Sequence, residues 1–158
     1  MYSKSKIFLR LSILLFISIS LYAFTESITI PKESYKKVEI VTYQSSALKK
    51  SMEDGKRVYG IVCLTCHLSE GQGISNVFPP LAKSDYLMAS LVRSIKELIQ
   101  GSSGEIVVNG RKYNGAMPAT GLDDKDIADV LNYVRNSWGN KGDIVTRAKV
   151  KKVRASLK

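Results

Sequence analysis

The stretch Cys63-Leu64-Thr65-Cys66-His67 decides how this chain folds, because it combines two cysteines three residues apart with an adjacent histidine. This spacing is the attachment signature of c-type haem, in which each thiol bonds one vinyl group and the imidazole ligates the iron. On a single helical turn the two cysteines share one face. The sequence therefore predicts one covalent haem c, with its iron, held by Cys63, Cys66 and His67.

Other uses of the two cysteines fit the sequence less well. A structural zinc site takes four ligands, whereas the chain contains two cysteines and one histidine. A thioredoxin-like dithiol lies between a strand and a helix of a parallel-sheet unit, and the flanking residues do not have that pattern. A disulfide over so short a span would close a strained loop and leave His67 without a role. The single histidine also predicts that the second axial ligand is not histidine.

The N-terminus has the layout of a secretory signal. Lys4, Lys6 and Arg10 precede an uncharged run over residues 11–24, which is short for a membrane span. Small residues are poorly placed for cleavage, so a signal peptide and a retained membrane anchor both stay open for residues 1–23. Either alternative puts the rest of the chain in the periplasm or on the outer face of the cytoplasmic membrane.

Composition divides the remaining residues into three segments. Residues 24–50 are polar with a short β-like patch at residues 38–43, which predicts a linker or extension with an edge strand. Residues 51–140 form the predicted haem domain, and residues 141–158 form a basic tail. A domain this small is marginally stabilised by its apolar side chains alone. We therefore expect the apoprotein to be largely unfolded.

The net charge of +10 lies outside the predicted haem domain. Residues 51–139 contain nine basic and ten acidic side chains, whereas the final nineteen residues contain seven Lys/Arg and only Asp143 as an acid. In this tail Val150, Val153 and Leu157 can share one helical face opposite the lysines. One interpretation of the tail is a segment that binds anionic lipid headgroups or an acidic partner. The other is a solvated extension packed over the domain. The exported location disfavours nucleic acid as a partner.

The haem domain is predicted to be all-α, with three to four helices around one covalent haem. Apolar residues at helical spacing predict helices over residues 52–63, 86–99 and 123–138. Within residues 105–113 the pair Asn109-Gly110 predicts a short β-hairpin, because this dipeptide suits a two-residue turn.

Gly55 and Tyr59 precede Cys63 by eight and four residues, and this arrangement resembles the class I cytochrome c family. The resemblance covers residues 51–140 and implies a cytochrome c fold, in which a glycine and an aromatic residue at these offsets let the first and last helices cross closely. The hairpin and residues 132–140 look like the mono-haem subgroup found as electron-donating domains or subunits of nitrite reductases, terminal oxidases and membrane dehydrogenases.

The resemblance also implies the other residues around the iron. Met117 lies in a Gly/Pro-bounded loop and is similar to the distal ligand of the family, with Met88 as the alternative. A thioether ligand favours ferrous iron and raises the reduction potential. In the family a proline carbonyl accepts a hydrogen bond from the ligand histidine, a role that falls to Pro79 or Pro80 here. A rigid turn without an electronic role is the simpler interpretation of these prolines.

These ligands imply an electron carrier, with no catalytic residue and no small-molecule substrate. The chain would shuttle one electron between exported or membrane redox partners, docking briefly through an apolar rim because the domain has little net charge for long-range steering. One alternative is a haem subunit of a larger oxidoreductase complex, such as a nitrite reductase, terminal oxidase or dehydrogenase. A haem enzyme or gas sensor needs an open iron position, against which Met117 argues.

Overall fold

The computed structural model describes residues 32–157, with side chains described for residues 36, 37 and 44–157. The chain divides into two units, Met1–Glu39 and Ile40–Lys158. The predicted leader, residues 1–23, lies outside the described residues, as does the start of the predicted linker. Within residues 32–157 no helix is long and apolar enough to cross a membrane.

The first helix, α1, covers Lys32–Val62 and therefore begins well before the predicted start at residue 52. The β-like patch at residues 38–43 lies inside this helix, so the predicted edge strand is wrong. The preference of β-branched residues for strands largely reflects packing on a pleated sheet. In the part of the chain that the structure describes, no strand pairs with this segment, and its residues continue the helix instead.

The residues from Ile40 onward are mainly helical, with one two-stranded antiparallel hairpin. After α1 the elements are α2 (Leu64–His67), α3 (Asp85–Ala89), α4 (Leu91–Gln100), β1 (Ser102–Val108), β2 (Arg111–Met117), α5 (Asp124–Val134) and α6 (Arg147–Ala155). The prediction of a helical fold with one short β-hairpin is confirmed. Residues 32–157 hold six helical segments instead of the three to four predicted, because one predicted helix is divided, Leu64–His67 forms a short helix of its own and the tail forms another.

The predicted helix over residues 86–99 is divided at Ser90. Its backbone is extended, with φ −150° and ψ 105°, and its hydroxyl accepts a hydrogen bond from the Arg93 amide as the N-cap of α4. Ser84 caps α3 in the same way, accepting from the amide of Leu87 at 3.1 Å. Serine is a preferred N-cap because its oxygen satisfies an amide that the first helical turn leaves unpaired.

The hairpin is longer than predicted. Its strands pair from Val108 with Arg111 to Ser102 with Met117, and Asn109-Gly110 forms the turn with φ angles of 51° and 76°. Positive φ at both turn residues matches the twist of the strands, so the predicted turn is confirmed. Because the pairing extends this far, Met117 is the last residue of a strand, and its predicted placement in a free loop is wrong.

α1 and α5 approach each other closely at Gly55. A Cβ added there would lie 2.0 Å from the carbonyl oxygen of Asp129, so only a residue without a side chain fits. One turn later Tyr59 is 3% exposed and donates a hydrogen bond from its hydroxyl to the Leu68 carbonyl at 2.6 Å. The predicted close crossing at Gly55 is confirmed, although α5 ends at Val134, earlier than predicted.

The segment after α5 is part of the core. The Asn132 side chain donates to the Val145 carbonyl at 2.9 Å and accepts from the Val145 amide at 2.7 Å. Val150 and Val153 are 0% and 6% exposed, and α6 packs against α4 and α5. Residues 141–157 therefore pack over the domain as expected, whereas binding of anionic lipid or of an acidic partner by the tail stays a prediction.

Candidate functional site

A mainly apolar cleft of about 310 Å³ lies among α2, the hairpin and α5. Its walls include Leu98 from α4 and Val130, Leu131 and Val134 from α5. The six residues predicted to surround the haem all line this one cleft: Cys63, Cys66, His67, Pro79, Pro80 and Met117. Concave, apolar sites with a few converging polar groups are typical cofactor sites.

Both cysteines at the cleft are free thiols and partly buried. The amide of His67 donates to the Cys63 carbonyl at 3.0 Å, which holds the two thiols and the imidazole on one tight turn. Burial, and secondarily Cys66, raises the pKa of Cys63 to about 11. The raised pKa disfavours the thiolate, which is the reactive and metal-binding form of cysteine.

The His67 ring is oriented by a backbone carbonyl. Its Nδ1 lies 3.0 Å from the oxygen of Pro79, and because a carbonyl only accepts, Nδ1 carries the proton and Nε2 has a free lone pair. Burial lowers the pKa of His67, while the hydrogen bond to Pro79 opposes that effect. A neutral ring with an available nitrogen is the form that ligates a metal. Of the two prolines, Pro79 makes this contact and Pro80 contributes to the lining.

The loop that carries Pro79 depends on Gly73. Its amide donates to the His67 carbonyl at 3.1 Å, and its φ is +62°. A Cβ at this position would lie 2.3 Å from the Phe78 carbonyl oxygen. The absence of a side chain therefore lets the loop fold back on itself and bring the Pro79 carbonyl to the imidazole.

The two candidate methionines are separated by the fold. Met117, at the end of β2, lines the cleft. Both methionines pack against the hydrophobic core, but Met88 is not among the cleft residues. A thioether is a soft donor suited to haem iron, so two thiols, an imidazole and a thioether at one apolar cleft fit a c-type haem.

A polar group at the cleft was not anticipated from the sequence. The Tyr86 hydroxyl donates to the Glu97 carboxylate at 2.6 Å, and the Arg93 guanidinium lies 3.6 Å from the centroid of the Tyr86 ring. Burial, followed by the hydrogen bond to Glu97, raises the pKa of Tyr86. Tyr86 and Glu97 belong to different helices, so no local spacing in the sequence indicates their contact.

Comparison with known proteins places these features in context. A family model described as cytochrome c matches residues 52–138. A cytochrome c-552 of Thermus thermophilus is 38% identical over 118 residues, which are 68% of this chain and 79% of that protein.

Two further relatives are subunits of dehydrogenases. The cytochrome c subunit of the alcohol dehydrogenase (quinone) of Gluconacetobacter polyoxogenes is 35% identical over 103 residues, covering 63% of this chain and 22% of that subunit. The fructose dehydrogenase cytochrome subunit of Gluconobacter japonicus is 27% identical over 132 residues, covering 79% of this chain and 27% of that subunit.

Proposed function

The chain belongs to the cytochrome c family, and on this basis we propose that it is an electron carrier with one covalent haem c ligated by His67 and Met117. The observation that carries the proposal is the convergence of Cys63, Cys66, His67 and Met117 on a single apolar cleft. When bound, the haem supplies a one-electron couple between ferric and ferrous iron. The protein itself contributes attachment, ligation and a controlled environment, and it is not an enzyme.

Each residue at the cleft has a separate task in this proposal. Cys63 and Cys66 form the two thioether links, and His67 ligates through Nε2 because Pro79 occupies its Nδ1. The hydrogen bond to Pro79 fixes the ring and increases its basicity as a ligand. Met117 would supply a thioether ligand to the iron, and the apolar walls limit access of water to the site.

The rim of the cleft is the proposed docking surface for redox partners. Val62 and Val77 line the cleft and are also exposed, and the neighbouring Ile61 is 82% exposed. Exposed apolar residues grouped in this way mark a binding site. The nearly balanced charge of residues 51–139 gives little long-range steering, so partner exchange relies on brief apolar contact.

The dehydrogenase relatives favour a second candidate function. In it the chain is the haem subunit of a larger oxidoreductase complex, and the same cleft passes electrons within that complex. Both candidates place the chain in the periplasm or on the outer face of the cytoplasmic membrane, with residues 1–23 as a signal peptide or anchor. Copurification of a dehydrogenase, nitrite reductase or oxidase with the chain distinguishes the complex from a free shuttle.

Haem analysis of purified variants tests the proposal. The wild-type chain should give the pyridine haemochrome of one haem c, and the Cys63→Ser/Cys66→Ser variant should give none. Ferrous wild-type protein should be insensitive to carbon monoxide because both axial positions are filled. Met117→Ala should bind carbon monoxide readily, whereas Met88→Ala, the matched control, should remain insensitive.

Three results would contradict parts of this proposal. A wild-type protein without a haemochrome spectrum removes haem from the account altogether. Rapid carbon monoxide binding by the wild type favours a haem enzyme or gas sensor with an open iron position. A Met117→Ala variant that stays insensitive shows that another residue is the distal ligand.

A further inference from the structure

The outward face of α6 is a lysine surface formed by Lys149, Lys151 and Lys152. All three side chains are exposed, and none of them forms an ion pair with any residue in the described range. The sequence of α6 contains five basic residues and no acid. The other exposed residues of α6 are Arg147, Ala148 and Ala155.

This lysine surface is held in place by the core. The opposite face of α6 buries Val150 and Val153. Arg154, on the buried side, pairs with Asp124 at 2.7 Å and donates to the Leu122 carbonyl at 2.9 Å. The three lysines therefore lie together on a helix that is already ordered by its packing. Binding of a ligand need not supply the conformational entropy lost on ordering this segment.

We propose that the lysine surface of α6 binds the anionic headgroups of a phospholipid membrane. Lysine carries a compact charge without the planar fork by which arginine pairs with individual carboxylates. Protein interfaces are enriched in aromatic residues and arginine and depleted of lysine, whereas the exposed positions of α6 are three lysines, two alanines and a single arginine, with no aromatic residue. Such a surface complements the diffuse negative charge of a lipid bilayer better than the shaped surface of an acidic protein.

The position of α6 is compatible with electron transfer at the same time. No α6 residue lines the cleft within the described part of the chain, and α6 lies beyond residues 52–138, which the family model matches. Binding through α6 would therefore leave the apolar rim at Val62 and Val77 available to redox partners. The inference concerns this chain's own extension and does not depend on the identity of the axial ligands.

Vesicle sedimentation of the full-length purified chain tests the proposal. At low salt the protein should bind vesicles of mixed phosphatidylglycerol and phosphatidylcholine more strongly than vesicles of phosphatidylcholine alone. Each lysine near an anionic surface should contribute about fivefold in affinity, so Lys149→Gln/Lys151→Gln/Lys152→Gln should weaken binding by about a hundredfold. Raised salt should abolish the difference between the two lipid compositions. The apolar part of the leader would bind both compositions, and its basic residues are the same in every variant, so the loss of binding in the α6 variant isolates the contribution of the lysine surface.

A matched triple variant controls for the loss of net charge. Lys56→Gln/Lys83→Gln/Lys112→Gln removes three exposed lysines outside α6 and should retain most of the binding. Circular dichroism of both variants checks that the fold is intact. Equal weakening by the two variants, or absence of any preference for phosphatidylglycerol, overturns the proposal. It is also overturned if the α6 variant leaves lipid binding unchanged but loses a copurifying acidic protein.

Discussion

The cleft and the junction of α6 with the core are built from similar apolar side chains, but they place different requirements on the amino-acid sequence. The cleft collects residues that are far apart in sequence and requires particular atoms, such as the Pro79 carbonyl at His67. The α6 junction needs apolar residues at helical spacing, exemplified by Val150 and Val153. Chemically unique positions tolerate little change, whereas an apolar contact accepts any side chain of similar shape. The cleft therefore depends on the identity of particular residues, and the α6 junction on the spacing of its apolar residues.

The largest effect on stability is expected at Gly55, where α1 must meet α5 to support the turn that carries the thiols. Gly55→Ala should lower the free energy of unfolding by about 3 kcal/mol, because the new Cβ would lie 2.0 Å from the Asp129 carbonyl oxygen. Denaturant unfolding of the haem-loaded protein measures the change.

Gly60→Ala is the matched control for this substitution. Gly60 lies on the same helix, and a Cβ there would have no neighbour within 4 Å. Alanine is the better helix former, so this variant should be unchanged or more stable by up to about 1 kcal/mol. Equal losses in the two variants would show that helix geometry, and not the crossing, limits stability.

A smaller effect is expected at the α6 junction. Val150→Ala should cost about 2 kcal/mol of unfolding free energy, because it removes fully buried methyl groups. Val92→Ala, the control, truncates a valine that is 40% exposed on α4 and should cost under about 0.5 kcal/mol. If chemical denaturation finds the two variants equal, α6 does not belong to the cooperative core.

The smallest effect is expected at Asp123, which caps the helix shared by both regions. Its carboxylate accepts from the amides of Lys125 and Asp126, each at 2.8 Å. Asp123→Ala should cost about 1 kcal/mol near neutral pH, whereas Asp123→Asn should keep most of the cap. Thermal unfolding at several pH values measures both variants.

The loss at Asp123 should depend on pH with a definite sign. The hydrogen bond from Asp126, supported by that from Lys125, lowers the pKa of Asp123 in the folded protein. The stabilisation is therefore fully present above the unfolded pKa of about 4 and is lost as pH falls through the lower folded value. The difference between wild type and Asp123→Ala should shrink in acid. A difference that stays constant into strong acid would mean that the carboxylate is not the capping group.

The residues of the cleft were predictable from the sequence to the extent that their chemistry is distinctive. The Cys63–His67 stretch has a distinctive composition and Gly55 a distinctive spacing, and the structure places the first at the cleft and the second at the helix crossing. The binding roles of the cleft residues stay predictions. The choice between Pro79 and Pro80 was not predictable, because it depends on which carbonyl the loop turns towards the imidazole. The contact of Tyr86 with Glu97 joins two helices and leaves no local pattern.

The boundaries of the helices were predicted less well. The early start of α1 was missed because β-branched residues before position 44 read as a strand when no partner strand is considered. The break at Ser90 was missed because serine tolerates both a helix interior and a cap, and tertiary contacts select the cap. The helical spacing of the valines in α6 was visible in the sequence. Their burial also depends on the two hydrogen bonds between the Asn132 side chain and the Val145 backbone, which the spacing does not reveal.

The aromatic cluster formed by Tyr59, Tyr133 and Trp138 has a spectroscopic consequence. Trp138 is the single tryptophan of the chain, and its ring centroid lies 5.3 Å from those of both Tyr59 and Tyr133. Tyr59 belongs to α1 and Tyr133 to α5, so the indole reports on the place where these helices meet. The fluorescence of Trp138 therefore reports the opening of that junction without an added label. No second tryptophan contributes to the signal.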